Sequence, residues 1–162
     1  MIYQQVPADE LLTQGDVLDD CPVFRATPAG EPERFSARVV VLTQACDIVQ
    51  SRSGRVVVAR VYAATQLVER GELKAPAVRD QVRRGQVFGW YYLPAAPEPI
   101  ALPESIVNLR DLHTVPRELL EKLAADGKRV GRLLTPYREH LAQHFAVTYM
   151  RIALPEPYET HP

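Results

Sequence analysis

The run Val39-Val40-Val41-Leu42 narrows what this chain can become more than any other stretch. Four branched apolar residues in a row leave no side for water, so the strand over 35–43 has both faces buried. Such a strand lies inside a sheet with packing layers on either side. The segment 55–62, with Val56-Val57-Val58 at its heart, reads as its neighbour, and Ser51 to Gly54 as the tight turn of a hairpin. The apolar run stops at Thr43-Gln44-Ala45-Cys46-Asp47, which sets a thiol beside a carboxylate. Strand ends aim side chains at clefts, so Cys46 and Asp47 are candidate site residues.

Other elements follow from periodicity and breakers. Residues 1–14, with Leu11 and Leu12, suggest a helical turn. Val17-Leu18 suggests a short strand that Cys21 to Phe24 extends, and 27–33 is a loop broken by Pro28, Gly30 and Pro32. A short helix over 63–71 ends at Gly71. Val78 and Val82, four apart, predict a basic amphipathic helix over 72–84 carrying Lys74, Arg79, Arg83 and Arg84. An aromatic strand over 87–93 precedes a proline-rich loop over 94–103. A strand over 105–109 continues after a kink into 112–115. Pro116 suits the first position of a helix, capped by Val115 or Thr114 and ending at Gly127. Thr135 suits the N-cap of a last helix over 135–150, with Pro136 at N1. The segment 152–157 reads as a tail able to cover a sheet edge.

The 162 residues, 46% hydrophobic and 24% charged, fit one soluble domain with a substantial core. The net charge of -1 draws neither nucleic acid nor membrane at long range, so nucleic-acid binding would need a local basic patch. Two cysteines exclude a disulfide scaffold. The chain opens without a leader pattern, and no apolar run approaches the roughly 18 residues of a membrane span. The expectation is a cytoplasmic protein with reduced thiols, no cofactor and no membrane partner.

Three segments in order carry a resemblance. Gly15-Asp16-Val17 is similar to the opening GD(I/V) strand of the MazF/PemK toxin barrels, and Arg38 to Thr43 looks like their RPvvVlS strand. Ser105 to Val115, containing Arg110-Asp111-Leu112-His113-Thr114-Val115, resembles the late strand that leads into D-x-I-R-T-V. A helix follows. The resemblance implies an α+β, mostly β fold: a small SH3-like barrel with three to four packed helices. Its core would span 15–62 and 86–115, with an insertion over 63–103. Family members dimerise, and many cleave single-stranded RNA without metal, an arginine stabilising the phosphorane. Arg38 matches that position. Val39 replaces the family's proline, and Thr65 is the nearest counterpart of its assisting threonine. RNA, an antitoxin-like protein and a second copy are the implied partners.

Further candidates stand beside plainer readings. Cys46 is a nucleophile or ligand, or else a small packed residue with Asp47 capping a turn. Gln44-Ala45-Cys46 matches a caspase signature only up to the cysteine, and no histidine precedes it. His140 and His144, four apart, share a helix face and with Cys46 would make a weak metal site; otherwise they are ordinary helix histidines. Cys21 lacks the C-x-x-C spacing that would pair it with Cys46 on a metal. Arg138, beside Tyr137, Glu139 and His140, suits an anion at a first helical turn, or is solvated. Lys74, Arg79, Arg83 and Arg84, with Phe88, Trp90, Tyr91 and Tyr92, suit a phosphate backbone with stacked bases; otherwise the rings fill the core. In an enzyme, Asp47 or His140 would act as base, in a cleft between the Cys46 strand end and the last helix. The competing class is a non-catalytic interaction or sensor domain of a defence or stress locus, presenting the aromatic strand and proline loops.

Overall fold

The computed structural model describes residues 1–50 and 54–150. In chain order these form β1 (Tyr3–Gln4), β2 (Asp16–Ala26), β3 (Pro32–Val41), α1 (Ala45–Gln50), β4 (Arg55–Ala63), α2 (Ala64–Glu69) and α3 (Ala75–Ala77). There follow β5 (Trp90–Leu93), β6 (Ser105–Pro116), α4 (Arg117–Ala125), β7 (Arg129–Leu133) and α5 (Tyr137–Tyr149). Between α3 and β5, Val78–Val82 makes a π-helical turn. The fold is α+β and mostly strand, one seven-stranded antiparallel sheet in the order β1-β7-β2-β3-β4-β6-β5.

The sheet is open, where a closed barrel was expected. Its edge strands are too short to pair: β1 has two residues, and β5 ends before Pro94, which has no N–H to donate. A side chain links the two edges instead, the Tyr3 hydroxyl donating to the Pro94 carbonyl at 2.8 Å. Ile100, from the loop after β5, packs where a Cβ on Gly131 of β7 would sit.

Val39, Val40 and Val41 are fully buried, as the unbroken apolar run requires. Val39 and Val41 join Ile48 of α1 and Leu120 of α4 in one cluster. Val40 and Leu42, on the alternate face, join a second cluster that takes a residue from every strand and Leu141 from α5. Helices α1 and α4 therefore cover one face and α5 the other. A third cluster lies beneath α2 and the π-helical turn, built on Tyr62, Leu67, Val78, Val82 and Ile106. No described helix is long and apolar enough to cross a membrane.

Several expectations are corrected. Residues 1–14 hold β1 and turns in place of a helical turn. Cys46 and Asp47 lie in α1 and are not at a strand end, since β3 stops at Val41. The basic helix over 72–84 shrinks to α3 and the π-helical turn, although Val78 and Val82 are buried as its period requires. Pro116 caps α4 from outside, with extended ψ of 138°, and the Arg117 N–H goes to the Gly54 carbonyl at 2.7 Å. Pro136 caps α5, while the Thr135 hydroxyl reaches Glu139 Oε1 at 3.1 Å. The turn at Ser51 and the tail over 152–157 fall outside the described residues.

Gly15-Asp16 closes the fold's central seam. Gly15 donates to the Val41 carbonyl and accepts from the Leu133 N–H, tying β3 to β7 at φ +84°. Asp16 is fully buried and pairs with Arg132 (Nε to Oδ1 2.6 Å) and Arg129 (3.5 Å). These guanidinium groups also hold the carbonyls of Pro7, Glu10 and Leu11, fastening the segment before β2.

Candidate functional site

A groove of about 630 Å³ runs along the free edge of β5, between α5 and the end of the π-helical turn. Alternation on β5 sends Tyr91 toward the all-strand cluster and Tyr92 toward the α2 cluster, yet both line the groove because it wraps the strand's open edge. From α5 come Tyr137, His140, His144 and Val147, a stripe at helical spacing. Arg83, Arg84 and Phe88, with Ile2, Val82 and Pro94, complete the wall.

The walls are fixed by specific contacts. The Tyr91 hydroxyl donates to the Tyr137 carbonyl at 3.1 Å, joining β5 to α5. His144 Nε2 lies 3.1 Å from the Val87 carbonyl, so that nitrogen carries the proton, and the ring sits 5.8 Å from Tyr91. Tyr137 meets His140 edge to face at 6.3 Å. The Arg83 guanidinium stands 5.9 Å from the Tyr92 ring centroid. Burial pushes Tyr91 up to about 12, and burial with the Glu104 hydrogen bond does the same for Tyr92. Both are neutral phenols at ordinary pH. Arg83 and Arg84 are exposed, and neither makes an ion pair among the described residues. The groove thus offers aromatic faces, two imidazoles and two positive charges.

The structure gathers His140, His144, Arg83 and Arg84 here and disperses the other candidates. Lys74 and Arg79 are exposed but do not line the groove, and Arg79 lies 3.8 Å from Asp80. Arg38 is held by both carboxylate oxygens of Asp19, a hydrogen bond that raises its already high pKa. Arg138 is engaged by Glu139 at 2.9 Å and by Thr135, and that contact holds the Glu139 carboxyl below the usual range. Cys46 is exposed, with its sulfur 3.8 Å from Asp47 and 3.9 Å from Gln44. Because α1 and α5 cover opposite faces, the expected cleft between Cys46 and the last helix does not form. Cys46 cannot join His140 and His144 on a metal. Among the described residues no group of three His, Cys, Asp or Glu side chains is placed to hold one. Cys21 is buried in the α1–α4 cluster, which pushes its thiol up to about 11. Thr65 is exposed on α2.

Sequence reasoning missed two things. The first is the contribution of Tyr137, Gln143 and Val147 to the groove; the stripe 137, 140, 144, 147 was the available signal. The second is a polar network on the α4 face. Asp111 accepts from Tyr62 at 2.7 Å, pairs with Arg60 at 3.3 Å and contacts His113 Nε2 at 3.0 Å, while His113 Nδ1 meets the Phe24 carbonyl at 3.1 Å. Arg60 lies between the rings of Phe35 (4.4 Å) and Tyr62 (4.5 Å). Both His113 nitrogens are occupied and the side chain is 7% exposed. The network therefore pins the bulge where Ala59 faces Leu112 but Arg60 faces Asn108, and it presents no free base to a substrate.

No family model matches this chain, and no curated protein matches it either.

Proposed function

We propose that this chain is a nucleic-acid-associated module of the PemK-like kind that binds single-stranded RNA along the β5–α5 groove. The observation that carries the reading is the pair Arg83 and Arg84, exposed at the wall of a groove that also presents aromatic and imidazole rings beside Ile2, Pro94 and Val147. Positive charge tracks a phosphate backbone and ring faces stack bases, at about 1–3 kcal/mol per stacked base. The order of segments supports the PemK-like assignment: Gly15-Asp16-Val17 leads into β2, Arg38 to Val41 closes β3, and Ser105 to Val115 lies in β6 just before α4. The engagement of Arg38 by Asp19 favours binding over cleavage through that arginine.

Fluorescence anisotropy with a labelled single-stranded RNA tests this. Single-stranded RNA binds with a salt dependence, and Arg83→Ala/Arg84→Ala weakens it and flattens the log–log salt slope by about 1.4, two phosphates at about 0.7 each. An unchanged affinity and slope in the double variant would refute the reading.

A further inference from the structure

We infer that the groove is a one-nucleotide subsite, and that a free nucleoside 5′-monophosphate is a sufficient ligand for it. The inference rests on the reading of the groove as a nucleic-acid site and specifies what one unit of the strand meets there. The volume, about 630 Å³, falls in the roughly 300–1,000 Å³ range of small-molecule sites and is bounded on both sides of β5's edge. Its chemistry is divided. The charge is confined to Arg83 and Arg84, while Tyr91, Tyr137 and the two histidines lie on β5 and α5. Arg83 stands over Tyr92, a placement that leaves its guanidinium edge to hydrogen-bond a phosphate.

The rest of the groove suits a base and a ribose. His144 donates from Nε2 to the Val87 carbonyl, so Nδ1 is the ring nitrogen left for a ligand. Among the described residues the His140 imidazole and the exposed Gln143 amide make no hydrogen bond, so both retain donors and acceptors for base edges or ribose hydroxyls. Tyr91 and Tyr92 have their hydroxyls committed to the Tyr137 carbonyl and to Glu104. Those rings therefore offer faces, while His140, His144 and Gln143 offer polar edges. A phosphate alone would leave the rings uncovered, and a nucleoside alone would leave both arginines without an anion. The joined molecule answers both the rings and the arginines.

The test is calorimetric titration of the intact chain with adenosine 5′-monophosphate, adenosine and inorganic phosphate, followed by competition against labelled single-stranded RNA. The monophosphate binds saturably, at least about tenfold more tightly than either fragment, and displaces the RNA. Arg83→Ala/Arg84→Ala removes the advantage of the monophosphate over adenosine. His140→Ala/Gln143→Ala removes its advantage over phosphate. RNA binding without monophosphate binding would overturn the inference and leave the proposed function standing. Monophosphate no tighter than phosphate would also overturn it. If RNA fails to bind while the monophosphate binds as stated, the proposed function falls and the nucleotide subsite stands. Circular dichroism of each variant establishes that the fold is intact before the affinities are compared.

Discussion

Replacing Asp16 by alanine is expected to cost about 4 kcal/mol of stability. The carboxylate is fully buried and accepts from Arg132 Nε (2.6 Å), Arg132 Nη2 (3.1 Å) and the Thr13 N–H (3.1 Å), with Arg129 at 3.5 Å. The two arginine side chains are 11% and 2% exposed, so they cannot turn to water when their counter-charge is gone. Burial already lowers the pKa of Arg129 against the opposing pull of Asp16. Removing one partner of a buried pair leaves an uncompensated charge, at about 3–5 kcal/mol. Hydrogen bonds to charged groups contribute about 1.5–3 kcal/mol each, but those on one carboxylate are not additive, so the pair figure governs. For a chain of this size, about 4 kcal/mol lowers Tm by about 8–16 °C. Urea unfolding followed by circular dichroism measures the loss, with the slope against urea unchanged. Asp20→Asn, which removes the partner of exposed Lys128, serves as the control and should leave the midpoint unmoved. A loss below about 1 kcal/mol for Asp16→Ala would mean that water reaches the arginines, and the argument for the seam would fail.

Four further outcomes are expected. Gly15→Ala destabilises by about 1–2 kcal/mol in the same assay, because φ is +84° and the added carbon would meet Leu133 Cβ at 3.1 Å. Leu120→Ala, at a fully buried position of α4, costs about 2–5 kcal/mol. A maleimide labels one thiol per native chain, at Cys46, and the second, at Cys21, only after unfolding; rapid double labelling of the native protein would contradict the burial. Stability falls as pH rises from about 10 to about 12. Tyr62, Tyr91 and Tyr92 are each held up to about 12, against about 10 for an ordinary tyrosine, so the unfolded chain loses those protons first. The urea midpoint should therefore fall across this range, and a midpoint that stays constant from about pH 10 to about pH 12 would refute this.

The strand core was legible because its signal is local. Val39 to Leu42 admit no exposed face, and both clusters that divide them follow from period-two alternation. The end of α4 was equally readable: Gly127 at φ +76° closes it, with the Lys128 N–H returning to the Leu123 carbonyl. Strand β7 was not, because Arg129-Val130-Gly131-Arg132-Leu133 shows a polar pattern whose arginines are matched by Asp16 and Glu10, far away in sequence. The site followed the same rule. Arg83, Arg84, His140 and His144 were named from their own segments, but their meeting depends on α5 lying against the edge of β5, which no local pattern states. The pairing of Cys46 with the last helix failed for a topological reason. The chain turns into α1 on one face of the sheet and reaches α5 on the other.

The groove draws its walls from Ile2, from the stretch between Val82 and Pro94 and from α5, so its two sides are far apart along the chain. It exists only while β1, β5 and α5 are all in place. Whatever occupies it is linked to the folding equilibrium of the whole molecule: a ligand at a hundred times its dissociation constant adds about 2.7 kcal/mol. Saturation should slow amide exchange near Tyr3 as much as near Tyr137, so occupancy can be read at positions the ligand never touches.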